Sequence, residues 1–269
     1  MSDATRPIGL PGIHRLFSPL VVLGLLGVFG ASTMATLMAS ADSGPRASTL
    51  WLLVKWTPLL FQGFLMNMLL SVSAMALGTV IGAFWGLGQL SDIAPLRRVF
   101  WTVTQFFRNA PWLVILFFVM FLVPFEVRIA GVTVPLPDWL KAIIGLSLPV
   151  AANFAEILRG AVQSISSGQW ESAESFAFSR RQAMWLIILP QCLRRMLPPW
   201  MNLYAMLTMT TVLASIVGVQ EVMATVAKVN GAEGRTDLLL PIYTYVLIWF
   251  FAYCYPIARF TRWLEQRSA

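Results

Sequence analysis

Histidine, lysine and cysteine are nearly missing from this 269-residue chain, which has one histidine (His14), three lysines (Lys55, Lys141 and Lys228) and two cysteines (Cys192 and Cys254). A Ser/His/Asp or Cys/His catalytic set needs a histidine in a pocket with partners, and a zinc site needs several His or Cys ligands. His14 stands alone near the N-terminus, so neither can be assembled. The two cysteines form no disulfide framework and read as apolar filler. A Walker-type phosphate loop needs a lysine directly after a glycine, and none of the three lysines follows one. The chain does not hydrolyse ATP by that route, and a pump built on it must draw energy from another subunit.

Charge is scarce as well. Only 12% of residues are charged against 58% hydrophobic, and mean hydropathy is +0.72, which leaves too little polar surface to cover a water-soluble domain of this length. The composition defines an all-α integral membrane protein. Six uncharged runs are mostly long enough for a membrane helix, which needs about 20 apolar residues: Ser18 to Ala41, Trp56 to Ser91, Asn109 to Phe125, Ala142 to Ala155, Met196 to Gln220 and Leu238 to Ala258. The second is too long for one upright span, so Trp56 to Phe61 is expected at the interface or the helix tilts. The third and fourth reach full length only with Arg108 and Glu156 at membrane depth or snorkelling. Residues 1–41 also fit a cleavable leader, but the long apolar stretch favours a retained first helix.

Cationic loops stay on the cytoplasmic side. With both termini inside, the inner segments hold 12 arginines: Arg6, Arg15, Arg97, Arg98, Arg159, Arg180, Arg181, Arg194, Arg195, Arg259, Arg262 and Arg267. The outer segments hold 6 cations: Arg46, Lys55, Arg128, Lys141, Lys228 and Arg235. The net charge of +7 is spread over loop ends instead of forming one face, so headgroups of membrane lipids explain it and nucleic acid does not.

One inner stretch stands out: Ser166 to Pro199, "SSGQWESAESFAFSRRQAMWLIILPQCLRRMLPP", with two glutamates and four arginines. Gly168 is placed as a helix N-cap with Glu171 three residues on. Trp170, Ala173, Glu174 and Ala177 share a side at helical spacing. A turn at Ser179 to Arg181 and a second short helix from Gln182 to Leu189, stopping before Pro190, follow. Periodicity alone leaves two readings open, an amphipathic connector on the membrane surface and a knob that docks into another protein.

The run Glu171-Ser172-Ala173, three residues, Ala177, nine residues, Ile187-Ile188-Leu189-Pro190 resembles the EAA loop of permease subunits of bacterial ABC importers, with Ser172 for an alanine and Ala177 for the glycine. Alanine forms helix better than glycine, so the bend there is expected to be stiffer. "FRNAPWLVILFF" (Phe107 to Phe118), "NFAEILRGAVQSISSGQWESA" (Asn153 to Ala173), "LPQCLRRMLPPWMN" (Leu189 to Asn202) and "VLASIVGVQEV" (Val212 to Val222) are similar to blocks of the polar amino acid uptake group. Asn109 stands where that group has glycine, and Thr208 to Val212 replaces its Lys-Thr-Ser-Leu run.

The resemblance implies a five-helix type I importer core plus one extra N-terminal helix. Residues 1–57 would form the N-terminal segment, first helix and periplasmic loop, and residues 58–267 the permease domain in the bacterial inner membrane. It implies a second permease, identical or homologous, two ATPase subunits holding ATP and Mg, a periplasmic solute-binding protein and an amino acid substrate. No cofactor is expected on this chain. The ATPase-coupling set carried over is Gly168, Glu171, Ala173, Ala177, Ile187, Leu189 and Pro190. Arg180 and Arg181 read either as charge steering or as headgroup anchors.

Polar groups on apolar spans must find partners or line water. Asn67, Asn153, Asn202, Thr208, Thr210 and Ser215 are the candidates for the solute pathway, and Glu156 with Arg159, one turn apart, for a structural ion pair. The Gly78-x3-Gly82-x3-Gly86 row is expected to pack a neighbouring helix closely, and Pro111 and Pro149 to kink their spans. The alternatives are a permease for another small polar solute, or a channel or secondary carrier. A carrier would call for inverted halves or several buried acids.

Overall fold

The computed structural model describes residues 48–129 and 132–268; the expected first helix and His14 lie outside them. It opens on α1 (Thr49–Gln89), one unbroken helix of 41 residues whose N-cap Ser48 accepts the amide of Trp51. At 1.5 Å per residue α1 is about 60 Å long, twice the hydrocarbon thickness. The stretch Trp56 to Phe61 is thus continuous with the span.

The third apolar run does not form one helix. It is split between α2 (Ala94–Asn109) and α3 (Trp112–Leu122), which meet at 108°. The cause is Pro111, which forces Ala110 into extended backbone (ψ 140) and cannot donate into a helical ladder. Arg108, expected at a helix end, lies in the last turn of the amphipathic α2, one residue before that helix stops. A hairpin of β1 (Glu126–Ile129) and β2 (Val132–Pro135), antiparallel with Glu126 opposite Pro135, leads onward. It is a small exception to the all-α expectation.

Next comes α4 (Asp138–Gln163), longer at both ends than its apolar run and carrying Pro149 inside. After it come α5 (Ser167–Ser175), the single turn α6 (Arg180–Ala183), a π turn (Met184–Ile188) and α7 (Leu189–Thr210). The fifth run was expected to be helical to Gln220, but α-helix ends at Thr210, followed by a 3-10 segment (Thr211–Ser215) and non-helical chain to Glu221. The last elements are α8 (Val222–Glu233), unforeseen in the sequence, and α9 (Leu239–Ser268).

Among the described residues three helices are long and apolar enough to span a membrane: α1, α4 and the stretch containing α9. The bent α2/α3 pair makes a fourth if taken as one broken span. Two apolar clusters hold them together. One surrounds α4 and joins Leu70, Leu116, Leu146, Val150, Ile188 and Leu207; the other packs Leu60 and Phe64 of α1 against Val222, Val226 and Val229 of α8 and Ile242 of α9.

The glycine row does what its spacing suggests. A Cβ on Gly78 would stand 2.5 Å from Val150 Cγ1, one on Gly82 would strike the carbonyl oxygen of Ala151, and one on Gly86 would stand 2.8 Å from Leu158 Cδ2. α1 and α4 run parallel with their backbones nearly touching, a contact that only small residues allow.

Candidate functional site

The loop between α4 and α7 holds the first set of candidates. Its α5 is capped by Ser166, not Gly168, without a side-chain bond, and Gly168 lies in the first turn with open space around it. Glu171 is exposed, Ala173 is buried and Trp170 packs on the core. The one positive-φ residue other than glycine among the described residues is Ala177, at φ 56. The amide of Ala177 donates to Glu174 O (2.9 Å) and that of Phe178 to Ala173 O (3.1 Å), the paired bonds of a helix-ending Schellman turn. The bend therefore forms despite the methyl group, at a left-handed position that costs an L-residue roughly 1 kcal/mol.

Beyond it Ser179 and Gln182 form a reciprocal capping box, which starts α6. The second short helix was expected to end before Pro190. Instead the chain runs through the π turn into α7, and Pro190 occupies the first turn of α7, where a missing N–H costs nothing. Ile188 and Ala183 are fully buried and Ile187 and Leu189 half-buried, so these anchor the loop to the core. Gly168, Glu171, Ala177 and Pro190 face outward. Trp185 and Leu186, passed over in the sequence, are exposed as well.

Glu156 lies 2.6 Å from Arg159 and 3.5 Å from Arg108, and accepts from Gln105 Nε2 at 3.3 Å. The group ties α2 to α4 just before the chain breaks at Pro111. Arg195 donates to Ser164 O at 2.8 Å, satisfying an orphan carbonyl where α4 ends.

The pathway candidates are not gathered into one pocket. Asn67 and Thr208 are fully buried; the Thr208 hydroxyl donates to Tyr204 O, and every polar atom of the Asn67 side chain is used internally. These two present no surface to a solute in this conformation. Asn153 donates to Pro149 O at 2.8 Å, beside the proline of α4. Thr210 and Ser215 donate to Met206 O and Val212 O and remain partly exposed, and Asn202 is exposed on α7.

Instead the polar groups form a seam between α1 and α7, which run antiparallel. Trp200 Nε1 donates to Thr79 Oγ1 (2.9 Å), the Tyr204 hydroxyl meets Ser71 Oγ (3.4 Å) and Tyr253 of α9 (2.6 Å), and Asn67 Nδ2 donates to Thr211 Oγ1 (3.0 Å). The spacing of Trp200 and Tyr204 on α7 was a readable signal, since positions four apart share a helical face, and Thr211 follows just past the end of that helix. Sequence reasoning also missed Glu221, which is fully buried, accepts the amides of Met223 and Ala224, and so caps α8. The far end of α8 is pinned to α1: Glu233 accepts from Lys55 Nζ (3.0 Å) and Trp56 Nε1 (2.7 Å), and these bonds hold its carboxyl below the usual range.

A helical core broken at two spans, with a structured loop projecting beside it, defines the membrane-embedded subunit of a transporter. Residues 78–269 match the family of binding-protein-dependent transport system inner membrane components, and the chain belongs to that family. It is 37% identical over 213 residues to the probable amino-acid ABC transporter permease protein YckA of Bacillus subtilis, covering 79% of this chain and 90% of that one. It is 28% identical over 187 residues to the glutamate/aspartate import permease protein GltK of Escherichia coli O6:H1, covering 68% and 83%. Among solved structures it is similar to an amino acid ABC transporter crystallised with histidines (TM-score 0.69, 23% identity, 83% of this chain and 100% of that one). The MetNI methionine ABC transporter in an inward-facing state shares the fold at TM-score 0.54 and 15% identity, over 80% of this chain and 97% of that one.

Proposed function

We propose that this chain is the permease subunit that moves an amino acid through the bacterial inner membrane, with both termini in the cytoplasm. A separate pair of ATPase subunits drives it through the loop of residues 166–199. The permease unit occupies residues 58–267, pairs with a second permease, and receives solute from a binding protein on the outer side. ATP and Mg belong to the ATPases. The observation that carries this reading is the loop: Glu171 and the left-handed turn at Ala177 face outward while Ala173 and Ile188 fasten the same segment to the core, so a push on the exposed side reaches α4 and α7. The amino acid class rests on the names of the relatives. Passage past Asn202, Thr210 and Ser215 is consistent with their exposure and with the break in α7, since non-helical backbone at membrane depth is tolerated where it is buried in protein or lines a water-filled cavity.

The test is uptake of labelled amino acids into proteoliposomes holding the permease, its ATPase and its binding protein. ATP-dependent uptake is expected, and Glu171→Lys is expected to lower it about tenfold or more while leaving insertion unchanged, by setting a like charge or an unpaired one in the docked interface. Accumulation against a gradient without the ATPase would refute the reading. Saturation by a non-amino-acid solute alone would move the substrate class.

A further inference from the structure

Among the described residues Glu221 is the only fully buried carboxylate, and none of their cations stands within ion-pair distance of it. It is held by neutral donors and by the positive end of α8: Oε1 accepts from the Met223 and Ala224 amides (2.9 and 3.0 Å), Oε2 from Asn67 Nδ2 (2.8 Å). Asn67 is equally committed. Its other Nδ2 hydrogen goes to Thr211 Oγ1 (3.0 Å), and its Oδ1 accepts the Val222 amide (3.1 Å). One side chain on α1 thus grips both ends of the helix break, Thr211 where α7 stops and Glu221–Val222 where α8 starts. Between them the chain closes mainly on itself, through Gly218 N to Ser215 O and Val219 N to Ala214 O, with Gly218 at φ 94.

We infer that Asn67 and Glu221 are positioning residues for transport: together they hold the break of residues 211–220 in one shape, so that Thr210 and Ser215 keep a fixed place beside the solute route. This rests on the importer reading above. The role differs from that of a stabilising contact because α8 has its own grip on α1. Val222, Val226 and Val229 pack on Leu60 and Phe64, and Gly63 lies against the Val222 backbone. Losing the polar pair frees the break and leaves α8 docked.

Donors and acceptors in this pair can be exchanged, and that supplies the test. Glu221→Gln sets an amide N–H against the N–H of Asn67 or of α8. Asn67→Asp sets two buried carboxylates face to face. In the double variant the new amide at position 221 donates to the new carboxylate at position 67, which still accepts the Val222 amide, so the Glu221–Val222 side is restored; the Thr211 hydroxyl, which gives its proton to Thr208 O, keeps its bond by turning to donate to that carboxylate. In proteoliposomes with the ATPase and binding protein, supplied with a mixture of 14C-labelled amino acids, each single change is expected to lower uptake about tenfold at normal recovery of the complex, and the double change to return it to within about threefold of the starting protein. Hydrogen exchange across residues 211–224 of the purified complex should rise in the singles and fall back in the double. Singles that transport normally, or a double no better than the singles, would overturn the inference. Should the unmodified complex move no amino acid, the importer reading fails, while the exchange pattern alone upholds or rejects the latch. If the singles do not assemble, Thr211→Val removes the acceptor of Asn67, together with the hydroxyl's own bond to Thr208 O, with little change of shape. It is expected to raise the KM for uptake about threefold at unchanged maximal rate, and an unchanged KM would overturn the inference.

Discussion

The two long faces of α1 meet their neighbours by opposite means. Toward α4 it offers Gly78, Gly82 and Gly86 and brings backbone to backbone; toward α7 it offers Thr79, Ser71 and Asn67 and joins through hydrogen bonds. In a bilayer apolar burial drives no helix against another, because lipid tails are as apolar as leucine, so close packing and hydrogen bonds remain. The two differ in what they permit. Interlocked backbone resists any shift along the axis, whereas a hydroxyl or amide bond can be given up and remade at modest cost. The glycine face reads as a fixed joint and the polar face as an adjustable one.

The largest expected effect comes from breaking the fixed joint. Gly82→Val drives a branched side chain into the Ala151 carbonyl and the Phe154 side chain, where backbone has no room to yield. A loss at or above about 3 kcal/mol is expected, read as a collapse in folded protein recovered from membranes. Gly86→Ala meets chiefly Leu158 Cδ2, the end of a flexible side chain, and should cost about 1 kcal/mol. Equal melting temperatures for the two variants would break the argument that backbone contact sets this face.

On the adjustable face, Tyr204→Phe removes the hydroxyl that links Ser71 and Tyr253. Hydrogen bonds between membrane helices are worth roughly 0.6 to 2 kcal/mol, so a drop of about 1 kcal/mol in detergent melting is expected, well below that of Gly82→Val. A Tyr204→Phe variant as damaged as Gly82→Val would erase the contrast between the faces.

Much of this was legible beforehand, and the reasons are local. The glycine row declared its packing role because only a missing side chain explains that spacing, and the loop between α4 and α7 stood out by its charges within an apolar chain. What stayed hidden depends on partners far away in sequence. Asn67 and Thr208 stood out as polar groups on spans, but nothing local shows that Thr211 and Glu221, more than 140 residues on, take up the bonds of Asn67. The 211–220 break hid inside an apolar run, because hydropathy does not register a change of helix type. At Ala177 propensity spoke only to stiffness; that the turn is left-handed comes from the two amide bonds that close it and the burial of Ala173, which outweigh a local preference of roughly 1 kcal/mol.

A third contact of α1 gives the smallest expected effect and sets the lower end of the scale. Glu233, at the end of α8, joins Lys55 and Trp56 at the opposite end of α1 from the glycine row, where water reaches. Its carboxyl is held below the ordinary range, first by the hydrogen bond from Lys55, so it is more readily ionised folded than unfolded. Such a group adds stability above its unfolded value, near pH 4.3 for a glutamate, and that stability is lost as pH falls through the lower folded value. An exposed pair of this kind contributes under about 1 kcal/mol and is screened by salt. The difference in melting temperature between the unmodified chain and Glu233→Gln should therefore be small at pH 7, shrink in high salt, and vanish once acid has protonated the carboxylate. A difference that persists at low pH would mean that Glu233 holds α8 through its Trp56 bond and packing instead of its charge, and α1 would then have two polar joints of one kind.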